Sequence, residues 1–154
     1  VANGIYNIGR NTLLTLGADA LDWDATSTGS AGSKRLGVVK TSGGYTVAVD
    51  TDRYQSILST NVWGDSGDQT YNGATLMTSP TAALGVADAA DTVMTAVANG
   101  SVACGAVVIW QQGASAAASP LWLYLDTATG LPITPNGADI GIVWDNGANK
   151  IFKL

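Results

Sequence analysis

The chain has 154 residues, enough for one domain with a substantial core, and a formal net charge of −5. Only 12% of its residues are charged although 46% are hydrophobic, every acid is aspartate, and histidine is absent. Seven scattered basic residues form no stripe that could displace counterions from nucleic acid, and no apolar run is long enough to span a bilayer. Glycine, alanine, serine, threonine and asparagine fill the space left by charge. That vocabulary favours strands and turns over helices, which lean on glutamate, lysine and glutamine.

In chain order, "NGIYNIGRNTLLTLG" (3–17) places Ile5, Ile8, Leu13 and Leu16 near helical spacing, and residues 1–17 are expected as a short helix or arm. The opening shows no charged start with an apolar run behind it, so a signal peptide is not expected; Val1 suits a trimmed initiator methionine. Residues 24–33 read as a loop. "RLGVVK" (35–40) and "YTVAV" (45–49) read as strands joined by a Thr-Ser-Gly-Gly turn, the second with Tyr45, Val47 and Val49 on one face. "DTDRYQSIL" (50–58) suggests a helical turn, and "WGDSGDQTYNG" (63–73) a long polar loop carrying Trp63 and Tyr71.

The second half predicts strands at 82–86, 91–97 and 103–111; the run 106–110 is apolar on both faces and therefore central and doubly covered. After a flexible "GASAAAS", "LWLYLD" sets Leu121, Leu123 and Leu125 on one face and Trp122 and Tyr124 on the other. "IGIVW" points Ile140, Ile142 and Trp144 one way. Asn146-Gly147 is a strong hairpin signal that would return the chain through "KIFKL", a closing strand either pinned inside the sheet by Phe152 and Leu154 or paired by a neighbouring chain. About eight short strands without βαβ alternation predict a mainly β domain over 1–154. The architecture expected is an antiparallel two-sheet sandwich, jelly-roll-like or Greek-key, with a short N-terminal helix or arm.

Chemistry-bearing motifs fail on inspection. "GDSG" (64–67) resembles a protease nucleophile loop, but no imidazole exists to take a proton from Ser66. Asp19, Asp22 and Asp24 lack the glycine and glutamate of a calcium loop, Asp88 and Asp91 fare no better, and zinc would have one cysteine and no histidine. No spacing selects an acid–base carboxylate pair. Cys104, alone in "VACGAVVIW", reads as an inert buried thiol. No catalytic residue, metal or cofactor is therefore expected. Trp110 reads as core, whereas Trp63, in a Gly/Asp loop, is harder to bury. Ile5, Tyr6, Trp63, Tyr71, Trp122, Tyr124, Phe152 and Leu154 are the candidates for a protein interface, where aromatic residues carry most of the energy.

The stretch "YLDTATGLPITPNGADIGIVWDNGANKIFKL" (124–154) resembles the C-terminal part of small virion structural proteins of tailed bacteriophages. "ANGIYN" (2–7), "YTV" (45–47), "GVADAADTV" (85–93) and "AVVIWQ" (106–111) add shorter matches. The long loops at 24–33 and 63–73 depart from that pattern. The resemblance implies a non-enzymatic particle component of the capsid decoration (cement) type. Such a protein sits on the outer capsid surface, having passed through the host cytoplasm during assembly. It binds the major capsid protein and self-associates as a dimer or trimer. A tail, head-fibre or connector component, in the fibre case a glycan binder with exposed aromatic residues in a groove, is the alternative.

Overall fold

The computed structural model describes residues 3–9, 23, 32–40, 45–64, 75–98 and 102–154. Among these the chain is mainly β, with eleven strands, all paired antiparallel. They are β1 (Gly4–Ile5), β2 (Lys34–Lys40), β3 (Val62–Trp63), β4 (Thr75–Leu76), β5 (Thr81–Ala83), β6 (Val86–Asp88), β7 (Thr92–Met94), β8 (Cys104–Gln111), β9 (Leu121–Leu125), β10 (Ile140–Ile142) and β11 (Phe152–Lys153).

The frame is a six-stranded sheet in the order β1-β9-β8-β2-β3, with β4 also paired to β2. β8 is central, as its two-faced apolar run predicts. Its residues 106–110 are all buried, each worth roughly 1.5–3 kcal/mol for a large side chain. Register places Leu36 opposite Ile109 and Ile109 opposite Leu123, so these side chains share one face with Val38 and Val107. Val39, Ala106, Val108, Trp110, Leu121 and Tyr124 share the other.

Strict alternation along β9 is broken. Ile109 faces Leu123 but Trp110 faces Leu121, so Trp122 is an extra residue in its strand. This bulge turns Trp122 onto the same face as Leu123 and leaves Leu121 with Tyr124. The expected split of leucines against aromatic residues is corrected accordingly. A second register shift, between Val39 and Lys40, skips Gly105 and brings Cys104 opposite Lys40.

Two small sheets, β10-β7 and β11-β6-β5, supply side chains to the first face, among them Met94, Ile140, Ala87 and Phe152. Trp23 is wedged there with ring centroids 5.3 Å from Trp122 and 5.2 Å from Phe152, both edge to face, and its indole N–H donates to the Asp88 carbonyl at 2.8 Å. The second face is covered without a ladder, by Tyr6, Ile8, Tyr45 and Leu58. Residues 45–49, expected as a strand, have no strand partner. Tyr45 still points inward, and one bond from the Asn7 amide to the Val49 carbonyl (2.7 Å) holds the segment down. The helical turn expected in 50–58 is a 3-10 turn at Gln55–Ile57.

Of the expected N-terminal helix, residues 7–9 are helical after the short β1; residues 10–17 lie outside the described residues, as do most of the 24–33 loop and the 41–44 turn. The "flexible" segment 113–119 is a compact loop around a 3-10 turn at Ala116–Ala118. The buried Ser119 hydroxyl accepts from the Gly113 amide and donates to the Ser115 carbonyl.

Two turn predictions are overturned together. The run 82–86 is not one strand but a hairpin, β5 to β6, whose two-residue loop is Leu84 (φ 52°) and Gly85 (φ 77°). Asn146-Gly147 makes no hairpin: β10 pairs with β7 and β11 with β6, so the two strands belong to different sheets. The Asp145 carboxylate accepts the Gly147 amide at 3.0 Å, forming a local turn, and the left-handed residue falls at Lys150 (φ 51°), whose ammonium meets Asp88 at 3.4 Å. Each strand is held where its inward residue, Ile140 or Phe152, finds the core. Burial outweighs the turn signal.

Candidate interaction surface and cavity

Most of the aromatic residues expected at an interface are inside the chain. Tyr6 and Trp122 are fully buried, Tyr124 and Trp63 nearly so, and these four are corrected to core residues. The physical reason is specific in each case: the bulge turns Trp122 inward, Tyr124 lies under the second-face cover that Tyr6 helps to form, and Trp63 belongs to β3 rather than to a loop, paired opposite Val38. Lys40 extends over the Trp63 ring with its ammonium 4.5 Å from the centroid. All five tryptophans are buried. Ile5 and Phe152 are half-buried, and Tyr71 lies outside the described residues.

Among the described candidates only Leu154 is truly outside, 67% exposed, so it does not pin the closing strand; Phe152 does. Beside it is a residue that no sequence signal marks. Leu84, at the tip of the β5–β6 hairpin, is 98% exposed. The Leu154 amide donates to the Gly85 carbonyl at 2.9 Å, which joins the hairpin tip to the end of β11. β5 and β11 are the two edges of their sheet, and all three residues of β5 are exposed. No standard turn pair announces Leu-Gly, so the apolar residue reads as part of a strand.

The second feature is a cavity of about 360 Å³ between the first face of the central sheet and the C-terminal segment. Val38, Val107 and Leu125 form its sheet side; Ile140, Ile142 and Trp144 form the opposite wall. The rim comes from residues 128–131 with Asp145 and Lys150. Except for Asn3, Val38 and Val107, every lining residue lies within 124–154. An adjoining hollow of about 210 Å³ shares Asn3, Leu125 and Ile151 with it and runs toward β1.

Reactive groups are restrained. Burial pushes the Cys104 thiol up to about 11, with Lys40 opposing part of the shift, so little thiolate is present at neutral pH. Asp88 pairs with Lys150, and Asp91 accepts the Trp144 amide at 3.0 Å. Among the described residues no group of three or more Asp or Cys side chains could hold a metal ion, and no helix is long and apolar enough to cross a membrane. Asp19, Asp22, Asp24 and Ser66 lie outside the described residues.

Under the second face, the Tyr6 and Tyr45 hydroxyls are 2.9 Å apart and Tyr45 donates to the Asp52 carboxylate, which also accepts the Ala48 amide. Burial is the main cause that raises both phenols well above the ordinary 10.0; hydrogen bonding to Tyr45 opposes it at Tyr6, while the bond to Asp52 adds to it at Tyr45. Unfolded tyrosines lose protons near pH 10 while the folded pair holds them. This contribution is therefore complete below about pH 10 and declines as pH rises beyond it. The melting temperature is expected to fall between pH 9.5 and 11, on the order of that window, and less steeply in Tyr6→Phe. Parallel pH dependences in the two proteins would show that Tyr6 is not part of the effect.

The chain matches no protein-family model, no curated protein and no solved structure.

Proposed function

We propose that this chain is a structural protein of a tailed-phage virion, a capsid decoration protein that binds the outside of the head shell and stabilises contacts between major capsid subunits. The antiparallel sheets are then read as a sandwich of jelly-roll or Greek-key type, and self-association about a symmetry axis is part of the proposal. The resemblance of residues 124–154 supports it.

The observation that carries it furthest is the pair of exposed leucines, Leu84 and Leu154, at one end of a sheet whose edge strands β5 and β11 have no further strand partner among the described residues. A leucine in the left-handed region costs about 1–2 kcal/mol, and at 98% exposure it returns nothing to its own fold. Buried against a neighbour it contributes roughly 1.5–3 kcal/mol, and an open strand edge can add backbone hydrogen bonds. A modest affinity of that kind suffices when contacts repeat over a lattice, and a ligand that binds only the closed shell slows its opening. The glycan-binding fibre alternative, which needs exposed aromatic residues in a groove, is less favoured because every tryptophan is buried and only Tyr54 and Phe152 among the described aromatic residues are half-buried rather than buried.

The test adds purified protein to expanded phage heads lacking a decoration protein and images the saturated particles by cryo-electron microscopy. Density repeating over the capsid lattice is the expected result. Leu84→Asp is expected to weaken binding by at least about tenfold, since a carboxylate would have to be desolvated where a leucine was buried. Density confined to the tail or one vertex, or none at all, would sink the decoration reading. Undiminished binding by Leu84→Asp would remove the hairpin from the contact.

A further inference from the structure

We propose that Asn146 is a site of spontaneous covalent modification, closing on the Gly147 nitrogen to a succinimide that hydrolyses to aspartate or isoaspartate, and that the fold shields Asn3 and Asn136 from the same chemistry. This goes beyond the decoration reading and stands independently of it.

The sequence holds five Asn-Gly pairs, beginning at Asn3, Asn72, Asn99, Asn136 and Asn146, of which the first, fourth and fifth are described. Asparagine is thermolabile, and a following glycine has no side chain to hinder approach of its own nitrogen. The reaction is redox-neutral and needs only water. Solvent hydroxide removes the Gly147 amide proton, the nitrogen attacks Asn146 Cγ, and a C–N bond closes a five-membered ring. The Cγ–Nδ2 bond breaks, and Nδ2 leaves as ammonia with a proton from water, which regenerates hydroxide. Water then opens the ring at Cγ, giving aspartate, or at the Asn146 main-chain carbonyl carbon, giving isoaspartate.

Ring closure asks for a side chain free to turn, a following amide free to lose its proton, and a backbone free to rotate into the attacking geometry. Asn3 is held against all three. Its carboxamide oxygen accepts the Asp126 and Thr127 amides at 2.8 and 3.1 Å, and Gly4 is paired with Tyr124 in the β1–β9 ladder. Asn136 is held as firmly. Its oxygen accepts the Ala138 amide at 3.0 Å, and the Gly137 amide donates to the carbonyl of the fully buried Val97 at 2.8 Å.

Asn146 differs on each count. Residues 145–149 are all exposed, and no hydrogen bond to a described residue ties down the Asn146 side chain. Residues 145–150 make no backbone–backbone hydrogen bond among the described residues; the chain is anchored before them by the Trp144 amide on Asp91 and after them by the Ile151 amide on Ala87. The Gly147 amide donates to the Asp145 carboxylate at 3.0 Å. That bond spans two residues and is exposed at both ends, so it opens without disturbing the core. Either product adds one negative charge to the segment, and isoaspartate also adds a methylene to its backbone.

The experiment incubates the full chain in mildly alkaline buffer, folded and in urea, and follows each Asn-Gly pair by peptide mapping with fragmentation that separates aspartate from isoaspartate. In the folded protein, conversion at Asn146 is expected to outrun that at Asn3 and Asn136 by at least about tenfold, a barrier difference of about 1.4 kcal/mol. In urea the three should convert at similar rates, because each then keeps only its glycine. Gly147→Ala should slow conversion at Asn146 by about tenfold in the folded protein and leave the other two sites unchanged. The nearest atoms to the added Cβ are those of the exposed Asp145 carboxylate, which is free to move aside, so folding is not at risk. Equal rates at the three sites in the folded protein, or faster conversion at Asn3 or Asn136, would overturn the proposal. So would the folded ordering persisting unchanged in urea, or a Gly147→Ala variant that converts at the parent rate.

Discussion

Trp122→Ala is expected to cost about 3–5 kcal/mol of folding stability, a large share of the 5–15 kcal/mol that holds a domain of this size together. Trp122 is fully buried, and the cavity left behind would be walled by the central sheet, whose β8–β9 ladder cannot close inward without losing register. The edge-to-face contact with Trp23 is worth roughly 0.5–1.5 kcal/mol beyond buried area, and it would vanish too. Damage should also spread. Phe152 sits against both Trp122 and Trp23, and β11 is only two residues long, so its hold on β6 depends on that aromatic cluster. Trp122→Phe should be much milder, because the Trp122 indole N–H is itself buried without an acceptor among the described residues and phenylalanine removes that burden. Chemical denaturation decides the matter. An alanine variant within about 1 kcal/mol of the parent would mean that the cluster is not the keystone of the first face.

What could be read in the sequence follows from how local each signal is. β8 was legible because five consecutive buried residues leave a strand no choice but the middle of a sheet. The inward set Ile140, Ile142 and Trp144 was legible from alternation alone, and all three pack into one cluster. The shared face of Tyr45, Val47 and Val49 was legible even though their strand does not exist, because all three side chains pack on one cluster while a ladder needs a partner strand. The bulge at Trp122 was not legible. It is a property of the pairing between β8 and β9, and a single strand read by itself alternates.

The hairpins show the same division. Asn146-Gly147 has the right local preference, but tertiary burial of Phe152 under Trp23 sends the next strand to β6 instead. The hairpin that does form uses Leu84-Gly85, a pair with a weak local preference, held by the β5–β6 ladder on one side and by the Leu154 amide on the other. For the candidate site the consequence is direct. Aromatic content pointed to an interface, yet large aromatic residues are the ones a small β core consumes first. The surface that remains is aliphatic and sits at a turn, and the cavity is built from loop residues whose meeting no periodicity announces.

Gly37→Val is expected to destabilise the fold by about 3 kcal/mol or more, the upper range for overpacking, and to do so through one strand. A Cβ at this position would lie 2.5 Å from Val62 Cγ2 and 2.7 Å from the Trp63 carbonyl oxygen. The valine methyl could rotate away, but the carbonyl belongs to β3, whose place is set by pairing Val38 with Trp63 and Val39 with Val62. Gly37 lies between the two partners that share one edge of β2, since β4 takes over at Arg35 and Leu36. A side chain there forces β3 off the sheet, and with it Trp63 and the Lys40 contact over its ring. Gly141 is the control. It is also a strand glycine, but nothing lies within 4 Å of its Cβ position and its φ is not left-handed, so Gly141→Ala should stay within about 0.5 kcal/mol of the parent. Equal effects at the two glycines would show that loss of backbone freedom, not the close approach of β3, governs both. A large effect at Gly37 alone would establish that β3 is clamped against the central sheet by contact distance.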